Sequence, residues 1–165
     1  MSALRKPADE APAESKTGVS LGELEYSAGF IMRIAQLTAF ERFFEVLGTS
    51  AMRVSEFTVL TAVAENPGIR QGVIADVLKI KWSNMTKLVR GLEERGLVER
   101  HIPPDNRRSV VLRVTEKGRQ AIEASADAMY RSDRMALSML DDEEHAQFVA
   151  LARKIAGWPA TRRRD

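Results

Sequence analysis

Ser83, Asn84, Thr86, Lys87 and Arg90 bring hydroxyl, amide and cationic groups into one short run of the chain. At about 100° per residue, Met85, Leu88, Val89 and Leu92 occupy the i, i+3, i+4 and i+7 positions of one helix face. Ser83, Thr86, Lys87 and Arg90 fall on the opposite face. Lys87 and Arg90 suit phosphate or guanine, and Ser83, Asn84 and Thr86 suit shorter polar contacts near the helix start. Further along, the tip PPDNRR adds Arg107 and Arg108. Two guanidinium groups on a projecting tip are candidates for a narrow minor groove, whose negative potential favours them. Each cation taken alone is equally compatible with an ordinary solvated surface. Their weight comes from standing together on one helix and on the tip that follows it.

Other chemistries find no support. Cysteine is absent, which removes disulfides, thiolate nucleophiles, thiolate metal ligands and thiol-based redox sensing. His101 and His145 are isolated, so no metal site is expected. There is no phosphate-cradling glycine loop and no pair of carboxylates in a helix-defined geometry. No catalytic residues and no cofactor are expected, and the chain does not read as an enzyme. Its 165 residues, 44% apolar, suffice for one compact core, and the formal charge of +2 does not by itself identify a partner. No apolar run approaches the roughly 18 residues a membrane span needs, and the N-terminus lacks the apolar stretch of a signal peptide. The expectation is a soluble, cytoplasmic protein without a membrane partner.

The elements that position these groups are mostly helical. Residues 1–20 mix proline, alanine and charge with little to bury, the composition of a disordered arm. A helix is expected over residues 23–47, ending at Gly48, with Phe30, Ile34, Leu37, Phe40, Phe44 and Leu47 on one side. Ala35, Ala39, Phe43 and Val46 widen that stripe until only Thr38, Glu41, Arg42 and Glu45 remain polar. Such a helix needs two neighbours, either within a central core or with one supplied by a second copy of the chain. Ser55 is the expected N-cap of a helix over 56–65, which Asn66-Pro67-Gly68 ends. A short helix over 70–78 should turn Ile74, Val77 and Leu78 inward. After the turn Ile80-Lys81 the helix 82–95 follows, closed by Gly96, and the two form a helix-turn-helix. LVERHI and SVVLRV then read as two alternating strands around the basic tip. Thr115 can cap a helix over 116–139, and Asp141 one that runs to 156.

The segments SEFTVLTAVAENPG, VIADVLKIKWSNMTKLVRGLEERGLVER and PPDNRRSVVLRVTEKG resemble the MarR family of winged helix-turn-helix regulators. The likeness runs from Val54 to Gly118, and the flanking helices extend it over about 23–157. It implies a mainly α fold with a small β-hairpin wing, in which a winged helix-turn-helix domain joins a helical dimerisation layer. It implies double-stranded DNA as partner, a homodimer gripping an inverted repeat, and a pocket for a small-molecule effector between the layers. The corresponding division is an arm at 1–20, a dimerisation helix at 21–53, the DNA-binding domain at 54–115, C-terminal dimerisation helices at 116–157 and a basic tail at 158–165.

Three positions depart from the family pattern. Arg70 and Lys81 stand where a helix-capping serine is usual, which forgoes about 1 kcal/mol at each N-terminus, and their cationic groups can be aimed at phosphate instead. Trp82 opens the recognition helix in place of a small or basic residue. It can stack on sugar or base methyl groups, or pack under the helix, and packing is the expected role. The wing pattern fits Asp105 with Arg107, or Asn106 with Arg108 when counted back from Thr115, so either arginine can enter the minor groove.

Arg33 projects close to the direction of Phe40 and Phe44, inside an apolar arc. A guanidinium there calls for an anionic partner, and a bound effector that is an aromatic acid, through its carboxylate, or its thioester, through an anionic group on the thiol part, can supply one, with Phe30, Met32 and Phe57 as apolar walls. An ion pair within the protein, or a side chain reaching back to water, are the alternatives. The function these features imply is a sequence-specific transcriptional regulator, a repressor released from a palindromic operator by its ligand. The alternative is an architectural protein that binds DNA without sequence preference.

Overall fold

The computed structural model describes residues 18–48, 52–102 and 110–158 and divides into two compact units, Met1–Val46 with Arg134–Asp165, and Leu47–Asp133. The wing tip with Arg107 and Arg108, most of the N-terminal arm and most of the basic tail lie outside the described residues. The architecture is mainly helical with one small antiparallel sheet.

In the Leu47–Asp133 unit, α2 (Val54–Glu65), β1 (Ile69–Arg70), α3 (Gln71–Val77), α4 (Trp82–Glu94), β2 (Val98–His101) and β3 (Val111–Val114) are followed by most of α5 (Glu116–Ala136). The core draws Val59, Leu60 and Val63 from α2, Ile74 from α3, Met85, Val89 and Leu92 from α4, and Val98 and Leu112 from the hairpin. The period of α4 is as expected, with Leu88 half-buried at its edge. Along β2 and β3, Val98 and Leu112 turn inward while Glu99 and Arg113, paired across the ladder, turn out to water.

The sheet has a third strand that the hydrophobic pattern did not predict. Ile69 pairs with Leu112 and Arg70 with Val111, giving the order β1-β3-β2. Arg70 therefore lies in β1, and α3 starts at Gln71. Val77 is a correction as well, since it is 52% exposed. The buried arc of α3 centres on Gln71, Ile74 and Ala75, and Val77 falls on the far side of Ile74 from the other two. Ser55 does not cap α2, which begins one residue before it. There the Arg53 N–H donates to the Glu56 carboxylate at 3.1 Å.

Helix α4 ends where Gly96 takes a φ of +69° and the Leu97 N–H returns to the Leu92 carbonyl at 2.9 Å. The start of α5 is fastened to that turn. The Thr115 hydroxyl accepts from the Gly118 N–H at 3.0 Å, as an N-cap does, and donates to the Gly96 carbonyl at 2.7 Å. Lys117 Nζ donates to the Arg95 carbonyl at 2.9 Å. A side chain at Gly118 would meet the Leu97 carbonyl and Val114.

The other unit contains a 3₁₀ turn, Gly22–Tyr26, then α1 (Ala28–Leu47, all but its last residue) and α6 (Asp142–Ile155). The single helix expected over 23–47 is thus broken at Ser27, whose extended backbone (φ −80°, ψ 109°) separates the two pieces. Its carbonyl accepts from the Ile31 N–H at 2.9 Å, the start of α1. The α5 helix stops at Ala136, and the three residues expected to continue it form tighter turns. Asp141 caps α6 as expected, accepting from the Glu143 and Glu144 N–H groups at 2.9 Å, while Glu144 accepts from the Asp141 N–H.

Candidate nucleic-acid interface

Two helix N-termini carry the candidate contacts, and in both the capping position is held by a cation. Arg70 precedes α3 and Lys81 precedes α4, each with extended backbone and neither with a side-chain capping bond. Both are exposed and make no ion pair among the described residues. A cation at the positive end of a helix is unfavourably placed until an anion joins it.

Along α4, Ser83, Asn84 and Lys87 are exposed, as expected, and Lys87 has no ion-pair partner among the described residues. Arg90 is exposed too, but its Nε pairs with Glu94 Oε1 at 2.8 Å, one turn on. Thr86 is different from the expectation. It is half-buried, its hydroxyl donates to the Trp82 carbonyl at 3.0 Å, and it accepts from Gln71 Nε2 at 3.4 Å. Gln71 is itself buried, so Thr86 belongs to the seam between α3 and α4 rather than to the outer face.

Trp82 does not pack under the helix. It is 59% exposed, with its Cζ3 edge 3.8 Å from the point a Cβ on Gly72 would occupy. At the first position of a helix there is no preceding turn to cover it.

Asn84 and Lys87 also line a groove of about 540 Å³ with Arg53, Ser55, Glu56, Leu88, Gly91, Glu94 and Arg95. Arg95 Nη1 lies 3.0 Å from Glu56 Oε2, which leaves Arg53 and Lys87 as the cations without an ion pair among the described residues. Arg53 was not legible as a neighbour of α4, because only the packing of α2 against α4 brings it there.

The candidate effector residues fall in both units. Phe30 is half-buried, and Met32 and Arg33 are exposed, all on α1. Arg33 has no ion-pair partner among the described residues. Phe57, in the other unit, is buried at 8% exposure and meets Tyr130 edge-on with ring centroids 6.0 Å apart. Among the described residues no group of three or more His, Asp or Glu is arranged to hold a metal ion. No helix among them is long and apolar enough to cross a membrane.

Comparison with known proteins agrees with this geometry. The MarR family model matches residues 53–110, which contain α2 to the base of the wing. A protein assigned as the transcriptional regulator for the hcr operon of Thauera aromatica is 32% identical over 151 residues, covering 91% of this chain and 89% of that one. The transcriptional repressor CouR, solved on a 23-mer DNA duplex, superposes with a TM-score of 0.74 at 29% identity, covering 84% of this chain and 98% of CouR. CouR bound to p-coumaroyl-CoA gives 0.71 at 27% identity, covering 84% and 97%. These relatives are regulators rather than enzymes, and the chain belongs to the MarR family of transcriptional regulators.

Proposed function

We propose that this regulator is a repressor that binds a palindromic operator as a homodimer and leaves it when an aromatic acid, or the thioester of one, binds. The observation that carries DNA binding is the set of cations Arg70 and Lys81, at the starts of α3 and α4, and Lys87, midway along α4, all exposed and without ion pairs among the described residues. Ser83, Asn84 and Trp82 stand between them for contacts to bases, Arg90 is recruited from Glu94, and either Arg107 or Arg108, outside the described residues, is assigned to the minor groove.

Dimerisation is supported by α1 and α6, neither of which has a buried residue in the single chain. Phe40 and Phe44 are 50% and 54% exposed, and Leu151 and Ile155 are 61% and 69% exposed. Apolar surface of this kind is characteristic of an interface between subunits. The effector class is supported by CouR with p-coumaroyl-CoA, and Arg33 supplies the guanidinium an anionic group would need. The ligand empties the operator only by binding the non-DNA conformation more tightly, since equal affinity shifts nothing.

Titration of labelled duplexes tests this. A repressor prefers its site by about 10³-fold or more over scrambled duplex, with half-sites centred about 10 bp apart. A ratio near one would mean architectural, non-specific binding. Arg33→Ala should weaken release by the effector, and unchanged release would remove Arg33 from the site.

A further inference from the structure

Trp82 combines three properties. It is the first residue of α4, it is large and apolar, and 59% of its surface is exposed. Helical Cα–Cβ bonds tilt toward the N-terminus, so its ring extends past the end of the helix instead of lying back along its side. Residues at this end of a recognition helix are those that meet base edges in the major groove.

The position of Trp82 is tied to α3. Its Cζ3 edge faces Gly72 of α3, 3.8 Å from where a Cβ would stand. Its own carbonyl accepts from the Thr86 hydroxyl, which in turn accepts from Gln71 of α3, so the first turn of α4 is fastened to α3. The rest of the ring is open to solvent, flanked in sequence by Lys81, Ser83 and Asn84, all exposed. The backbone that carries the exposed indole is thus anchored at the start of α4.

We propose that Trp82 is a specificity-determining residue that recognises thymine through its C5 methyl group. Among the four bases only thymine presents a methyl group in the major groove, and apolar contact is how proteins read it. The lysine and polar residues beside Trp82 make hydrogen bonds and ionic contacts, which can tell thymine from cytosine by its O4 acceptor, so what falls to the indole is the methyl itself, the one feature that separates thymine from uracil. This rests on the reading of α4 as the helix that faces DNA.

The experiment starts from duplexes selected by the full-length protein from a random-sequence pool. Each thymine is then replaced by uracil, which removes the methyl and leaves base pairing and hydrogen-bonding edges intact. Binding is measured for the wild type, Trp82→Ala and Trp82→Phe, with thermal unfolding recorded alongside. For the wild type, one thymine per half-site should lose about fourfold in affinity on losing its methyl. Trp82→Ala should fold normally, bind the thymine duplex more weakly and bind the two duplexes equally, whereas Trp82→Phe should keep part of the discrimination. Methyl independence in the wild type, or a methyl effect undiminished in Trp82→Ala, overturns the proposal while leaving the regulator reading intact. A pool in which nothing enriches overturns both.

Discussion

Arg90 Nε lies 2.8 Å from Glu94 Oε1 on the exposed side of α4, and both side chains are largely in solvent. An exposed pair of this spacing contributes only about 0.3–0.5 kcal/mol, so a phosphate can recruit Arg90 at little cost. Glu94 then remains as a repulsive neighbour of the DNA. Glu94→Gln should tighten duplex binding several-fold at low salt and steepen the log–log salt dependence by up to about 0.9, with little change in unfolding midpoint. Anisotropy titration at several salt concentrations measures this, and unchanged affinity would put Arg90 away from the phosphates.

The cationic capping positions give a prediction of opposite signs. Neither Arg70 nor Lys81 makes a side-chain cap, so Arg70→Ser or Lys81→Ser adds one and should stabilise the fold by about 1 kcal/mol. Each should at the same time weaken binding to specific and random duplex alike and lower the salt slope by about 0.9. Denaturant unfolding and binding titrations on the same variants check the two halves. A more stable variant with unaltered DNA affinity would remove that residue from the interface.

Thr86 separates structure from recognition. Its hydroxyl is engaged by Trp82 and Gln71, so Thr86→Val should lose about 1 kcal/mol of stability and change DNA affinity by no more than about twofold. A large affinity loss at unchanged stability would return the hydroxyl to the base edges.

Phe44, half exposed on α1, tests the dimer. Phe44→Glu places a charge on apolar surface that a partner would cover, and the dimer dissociation constant should rise by about 10²-fold or more. Sedimentation velocity reads the assembly state, and operator binding should weaken with it. A variant that still sediments as a tight dimer would put the interface elsewhere.

How much of this was legible in the sequence varied with how local the cause was. The α4 helix could be read because Met85, Val89 and Leu92 recur at helical spacing and one polar face remains. The caps at Thr115 and Asp141 could be read because each acts on backbone within three residues. β1 could not, since two residues carry no period and the partners Leu112 and Val111 lie far along the chain. The role of Thr86 depended on Gln71 of another helix, and the exposure of Trp82 on the lack of a turn before it. For Ser27 a signal was present, a favoured N-capping residue inside an otherwise continuous apolar pattern, and the periodicity obscured it.

The short strand β1 bears on the spacing of the DNA contacts proposed above. Arg70 is paired with Val111, and the Gln71 N–H donates to the Val110 carbonyl at 3.0 Å, so the start of α3 is bound to the base of the wing. Through Gln71 and Thr86 the same residues hold α4. The α4 helix and the base of the wing are therefore both tied to the start of α3. One base pair inserted between the major-groove and minor-groove contacts would move one set about 3.4 Å along the duplex and about 35° around it. With the base of the wing tied to α3 in this way, an operator bound as proposed should tolerate such an insertion poorly, so its spacing would be selected along with its bases.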